Sequence, residues 1–135
     1  MTQPSRRPEL YDPATNAWTA LPNMEHERGQ SSVCVLPSGR VAVVGGIGAD
    51  GVSRKDCEAF DPVKRTWEAL PEMAVAIRGP GAAPVAGGMV VAGRLTVELF
   101  DEENGQWLTL PHPMARLRDI TRLVSLPASA LLQAS

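Results

Sequence analysis

Three arginines, Arg28, Arg78 and Arg118, each follow a Leu-Pro…Met segment, one per repeat of a longer pattern. A guanidinium can hold a carboxylate through two parallel N–H···O bonds, so such a set could read an acidic peptide or ligand. The plainer expectation for each is a surface ion pair, which is worth little when exposed. Gly46-Ile47-Gly48-Ala49-Asp50-Gly51 fits the G-x-G-x-x-G pattern and follows an apolar run, Val41–Val44. A dinucleotide site would need a helix opening there. The stretch from Val52 reaches the Asp61-Pro62 turn too soon for one, so a plain loop is expected. His26 and His112 stand alone, with no second His or Cys at ligand spacing, which argues against zinc. No Gly-x-Ser-x-Gly elbow and no Ser–His–Asp arrangement is present. Glu102-Glu103 reads as a solvated turn, so no catalytic pair is assigned. No cofactor and no enzymatic activity are expected.

These residues hang on a unit that occurs three times. Its copies are Glu9-Leu10-Tyr11-Asp12-Pro13…Trp18…Leu21-Pro22, Glu58-Ala59-Phe60-Asp61-Pro62…Trp67…Leu70-Pro71 and Glu98-Leu99-Phe100-Asp101…Trp107…Leu110-Pro111. The tryptophans lie 49 and 40 residues apart, and a period of about 40–50 residues points to a propeller, solenoid or array. Each copy predicts a hairpin. The Asp opens a turn by bonding backbone two residues on, Pro13 and Pro62 preset the φ of the next position, and Asn104-Gly105 supplies positive φ in the third copy. Trp follows Asp by six residues every time, which fixes the face it points to. Leu-Pro ends the second strand, because Pro cannot donate to a ladder. The tryptophans could form a stacking surface for sugars or bases; packing between neighbouring sheets is the stronger expectation.

Between copies the chain supplies two further strands. Residues 31–36 read as a buried strand, Pro37-Ser38-Gly39 as a turn, and residues 40–44 as a strand closed by Gly45-Gly46. The loop from Ile47 to Asp56 carries Asp50, Arg54 and Lys55. In the next repeat residues 81–86 form a weaker strand, with Pro84 demanding an edge or a bulge. Residues 89–92 follow and are closed by Gly93-Arg94, with the long loop almost gone. Residues 118–127 keep step with 28–37, so a last strand pair is expected there, with a helix over 115–133 as the competitor. The domain plan is a polar lead (1–8), a half repeat (9–24), repeats over 28–73 and 78–114, and a final half repeat (118–135).

The chain has 135 residues, 44% of them hydrophobic, with 12 glycines and 12 prolines. That fits one all-β domain, or part of one, rich in turns. A net charge of −2 leaves no electrostatic footprint for nucleic acid. No apolar run reaches 18 residues, so no membrane span is expected. The N-terminal residues lack the apolar stretch of a secretory signal. Cys34 and Cys57 do not make a disulfide framework, and both are expected to be reduced in a cytoplasmic protein.

Four short strands, a glycine pair after the second, an aromatic, then Trp six residues past Asp: this pattern resembles the Kelch repeat. The resemblance covers residues 9 to about 133 and is carried by Gly45, Gly46, Gly93, Tyr11, Phe60, Phe100, Trp18, Trp67 and Trp107. Arg94, in place of a second glycine, departs from it. It implies Kelch-type β-propeller blades, two full repeats plus two half repeats, in an incomplete ring. It also implies glycine pairs at close backbone approaches and Trp between blades, so that Trp67→Ala would cost about 3–5 kcal/mol. Arginines leading into the innermost strands would line the mouth of the channel. The function implied is a protein-interaction module for a protein or acidic peptide, with Arg28, Arg78, Arg118, Asp50, Arg54 and Lys55 as binding candidates. A role as the substrate-recognition piece of a ubiquitin-ligase adaptor goes with it. The alternatives are a piece of an oxidase, sugar isomerase or sugar-binding propeller, or a non-functional remnant. Three blades cannot be expected to close a ring, since propellers have about 4–8. The chain is therefore expected to be a piece of a longer propeller, or else one of two chains completing a ring.

Overall fold

The computed structural model describes residues 7–94 and 96–110. It holds ten strands among those residues: β1 (Glu9–Asp12), β2 (Ala17–Ala20), β3 (Ser32–Val35), β4 (Val41–Val44), β5 (Cys57–Asp61), β6 (Thr66–Leu70), β7 (Gly81–Val85), β8 (Gly88–Ala92), β9 (Val97–Asp101) and β10 (Gln106–Thr109). They form antiparallel meanders: a two-stranded sheet β1-β2 and four-stranded sheets β3-β4-β5-β6 and β7-β8-β9-β10. The all-β reading and its blades hold, and the described blades do not close a ring. The polar lead up to residue 6 and the strand pair expected over 118–135, with its helical competitor, lie outside the described residues.

The thrice-repeated hairpins form as their chemistry requires. Asp12, Asp61 and Asp101 each accept a backbone N–H two residues on, from Ala14 (2.9 Å), Val63 (2.9 Å) and Glu103 (3.2 Å). Two residues before each Trp the backbone turns left-handed, at Asn16 (φ 50°), Arg65 (φ 56°) and Gly105 (φ 66°). The register then sets Tyr11 against Trp18, Phe60 against Trp67 and Phe100 against Trp107, with ring centroids 5.0–5.3 Å apart. Pro84 sits in β7, an edge strand of its sheet, where a missing N–H costs no ladder bond.

One core lies between the two complete sheets. Cys34, Ala42, Val44, Cys57 and Ala59 of the first face Met89, Val91 and Phe100 of the second. A smaller cluster of Val85, Val90, Val97, Leu99 and Leu110 covers the second sheet's other face. Two expectations need correction. Residues 31–36 do not form a strand buried on both faces. Cys34 is buried, but Val33 and Val35 are 60% and 58% exposed, because alternate side chains face opposite ways and β1-β2 offers only two strands on their side. Trp67 and Trp107 do meet the neighbouring sheet as expected, but none of the three tryptophans is deeply buried. Trp67 and Trp107 are half-buried, and Trp18 is 66% exposed. Each of the first two instead donates its indole N–H, at 2.7 Å, to the carbonyl of the proline ending the preceding hairpin: Trp67 to Pro22 and Trp107 to Pro71.

Candidate functional site: the connection face of the blades

One end of the blades gathers the connections that lead into β3 and β7 and the loops that follow β4 and β8. The glycine pair after β4 brings these segments together. Gly46 has φ 97°. It receives Arg54 N–H on its carbonyl and donates to Ile77 O, both at 2.8 Å. A Cβ on Gly46 would collide with Gly29 O, so close backbone approach is what this glycine provides. The loop of residues 46–53 holds no helix. It is pinned by bridges Gly29–Ile47 and Ile47–Ser53, which disposes of a dinucleotide-binding reading of its glycines.

Arg28 is where expectation and structure part most clearly. Its side chain is 0% exposed. It donates to Glu58 Oε2 (2.6 Å), Asp56 Oδ2 (3.0 Å), Asp56 O (2.9 Å) and Gly45 O (3.1 Å). Glu58 also accepts the backbone N–H groups of Glu25 (2.7 Å) and His26 (3.2 Å). Arg28 thus clamps the connection to the sheet with a guanidinium that is fully buried. Arg78 is exposed and donates to Gly51 O at 3.0 Å, and Arg118 lies outside the described residues. The two described arginines are not equivalent. Four residues past Met24 stands Arg28, but four past Met73 stands Ile77, which packs on Gly93 as Arg28 meets Gly45. Glu98, the counterpart of Glu58, accepts Ala74 N–H at 2.8 Å, while its buried Oε2 has no hydrogen-bond partner among the described residues.

Arg54 is engaged by Asp56 at 2.6 Å. Burial pushes the Asp56 carboxyl up, but the Arg54 hydrogen bond and the Arg28 and Arg54 charges together hold it below the usual carboxylate range. Asp50 is exposed and caps its own loop by accepting Val52 N–H at 3.0 Å; Lys55 is exposed. Burial drives the Cys57 thiol up to about 12 and raises Cys34 as well. Both are free and buried, so neither is a ready nucleophile. Among the described residues, no three His, Cys, Asp or Glu side chains are grouped to hold a metal ion, and no helix is long and apolar enough to cross a membrane.

Among the described residues, several hollows open on or beside this face. One, of about 540 Å³, lies between β6 and the segment of residues 22–26, with Trp67, His26, Asp56 and Glu58 in its wall. A second, of about 340 Å³, is edged by Glu25, Glu27, Asp50, His26 and Arg54. A third, of about 200 Å³, is lined by Val75, Ala76, Ile77, Arg78, Arg94 and Thr96. Arg94, which stands where the first repeat has its second glycine, escaped notice as a binding residue. Its place directly after β8, in the slot of that glycine, was the available signal.

Against this geometry, residues 28–74 match the Kelch motif, the span that runs from Arg28 through β6. The chain is a Kelch-repeat protein. Its Kelch repeats are 31% identical over 101 residues to Kelch-like protein 35 of Mus musculus, covering 74% of this chain and 17% of that protein. An F-box/kelch-repeat protein of Arabidopsis thaliana is 40% identical over 57 residues, 42% of this chain and 15% of the relative. Galactose oxidase of Gibberella zeae is 34% identical over 71 residues, 53% of this chain and 10% of the relative. The chain therefore spans 10% to 17% of the length of these three relatives.

Proposed function

We propose that these Kelch blades are a protein-interaction module that binds rather than catalyses, and that the connection face takes a partner segment bearing a carboxylate. The observation carrying this is the hollow that Val75, Ala76 and Ile77 line together with the exposed Arg78 and Arg94. Its apolar lining gives a partner side chain a place to lose water, and a guanidinium in the same lining can hold a carboxylate through two bonds. Lys55 adds to the positive side of the face. Arg28 has no part in capture. Kelch-like and F-box/kelch relatives support the module in general. The F-box/kelch likeness alone supports a finer role in substrate recognition for a ubiquitin-ligase adaptor. The free, buried Cys34 and Cys57 suit a reducing, cytoplasmic setting. A second copy of the chain is the other partner proposed.

The test is retention on an array of acidic and basic peptides. Acidic peptides should be held, with affinity falling at least about tenfold in Arg78→Ala/Arg94→Ala. Equal retention by that double variant would overturn the assignment. The similarity to galactose oxidase favours a sugar-active second reading; it would show as glycan binding with no peptide retention.

A further inference from the structure

Among the described residues, three that are not glycine hold a left-handed backbone: Asn16 (φ 50°), Gln30 (φ 50°) and Arg65 (φ 56°). A side chain makes that conformation costly, and of the non-glycines chiefly Asn and Asp visit it with ease. Asn16 and Arg65 sit in hairpin turns, and their side chains are used there. Asn16 Oδ1 accepts the Tyr11 hydroxyl at 2.7 Å, and the Arg65 guanidinium lies 5.9 Å from the centre of the Phe60 ring. Gln30 is in no hairpin turn. It lies on the connection into β3, six residues past Met24; six past Met73 the next repeat has Gly79, at φ 66°. A glycine therefore suffices for this slot. Here a long polar side chain stands exposed in it, its carboxamide bonded to no described residue.

The surroundings of Gln30 are fixed. Its carbonyl accepts Gly79 N–H at 2.8 Å, and two residues on, the Ser32 hydroxyl donates to Pro80 O. Both bonds cross from one blade to the next and hold Gln30 against the segment of residues 79–80, which Arg78 leads. A Cβ built on Gly79 would stand 3.9 Å from Gln30 Oε1, so the Gln30 side chain lies over that glycine, next to the arginine. Resting on the reading of this face as the site of a carboxylate-bearing segment, we infer that Gln30 is a binding residue of the same site and that the partner docks there as an extended peptide. A carboxamide offers an acceptor oxygen and two N–H donors, the complement of a main-chain N–H and C=O. Arg78 and Arg94 take the carboxylate, and Gln30 takes the main chain beside it. The occupant is thus an acidic stretch of polypeptide, and a small carboxylic acid fills only part of the site.

The test uses the full chain and the acidic peptides of the array, with dissociation constants from fluorescence anisotropy and midpoints from thermal melting. Gln30→Gly removes the left-handed side chain and the carboxamide together. Its midpoint should rise by about 4 °C, while its dissociation constants rise about fivefold, the size of one net hydrogen bond. Gln30→Ala keeps the Cβ and drops the carboxamide, and should lose affinity to the same degree without the gain in midpoint. Glutarate, a dicarboxylate with no main chain, should bind wild type and both variants equally. Unchanged peptide affinity in both variants, with the loss in Arg78→Ala/Arg94→Ala intact, would overturn the role of Gln30 and leave the carboxylate site standing. Loss in Gln30→Gly alone would assign the effect to a loosened backbone, and weaker glutarate binding in the variants would assign it to the carboxylate; either overturns main-chain reading by Gln30. A wild type that holds no acidic peptide would overturn the site and this inference with it.

Discussion

Glu58 and Glu98 occupy the same place in successive blades, and replacing each with Gln should change stability in opposite directions. Both are buried, and Gln keeps the volume while removing the charge. At Glu58 the charge faces Arg28 at 2.6 Å, inside a guanidinium that has no exposure of its own. Removing one partner of such a buried pair typically costs about 3–5 kcal/mol, because the other charge is left without compensation. Arg28 keeps Asp56 at 3.0 Å, which places Glu58→Gln near the lower end, about 3 kcal/mol. At Glu98 the arginine is replaced by Ile77, and Oε2 has no hydrogen-bond partner among the described residues. Only Ala74 N–H binds the other oxygen, and an amide carbonyl can accept that bond. Glu98→Gln should therefore be neutral or stabilising by up to about 1 kcal/mol, since a buried charge without a partner is removed. Urea denaturation at neutral pH reads both, as a shift in midpoint at constant slope. Equal losses in the two variants would refute the clamp assigned to Arg28 and Glu58.

Three further expectations follow from the same contacts. Gly46→Ala should cost more than about 2 kcal/mol, since it combines a left-handed φ with a collision at Gly29 O; thermal melting measures it, and an unchanged midpoint would contradict the close approach. Iodoacetamide at pH 8 should leave Cys34 and Cys57 unlabelled in the native chain and label both in urea, because burial raises both thiols; mass spectrometry counts the adducts. Burial pushes the Glu102 carboxyl up, but bonds from the Ser38 hydroxyl and N–H and from Arg40 outweigh it and hold the group low. Asp56 is lowered too. A depressed folded pKa gives stability that is complete above the unfolded value, about 4, and is lost as pH falls through the folded one. The urea midpoint should drop below about pH 4.5, and less steeply in Glu102→Gln.

The hairpins were legible because their causes are local. Asp, Pro, a left-handed residue and Trp all lie within seven positions, and the turn bonds span two or three residues. The Gly46 approach was legible only through the Kelch resemblance, since the backbone it meets, at Gly29 and Ile77, comes from distant parts of the chain. The fate of Arg28 was not, because its partners Asp56, just ahead of β5, and Glu58, within it, lie about thirty residues away. Counting from Met24 and Met73 would still have separated Arg28 from Arg78. The exposure of Val33, Val35 and Trp18 depends on which sheet stands beside them, a property of neighbours that no apolar run records. Arg94 read as a departure from a glycine pair, and only the fold brings it into one hollow with Arg78.

Blade-to-blade docking through tryptophan and the preceding proline carbonyl is tested most directly by hydrogen exchange of the three indole N–H groups, assigned by single Trp→Phe variants and followed by NMR. Trp67 and Trp107 should exchange markedly more slowly than free indole, and Trp18, which is 66% exposed, should exchange faster than either. Three indoles exchanging at one fast rate would contradict the blade packing described here.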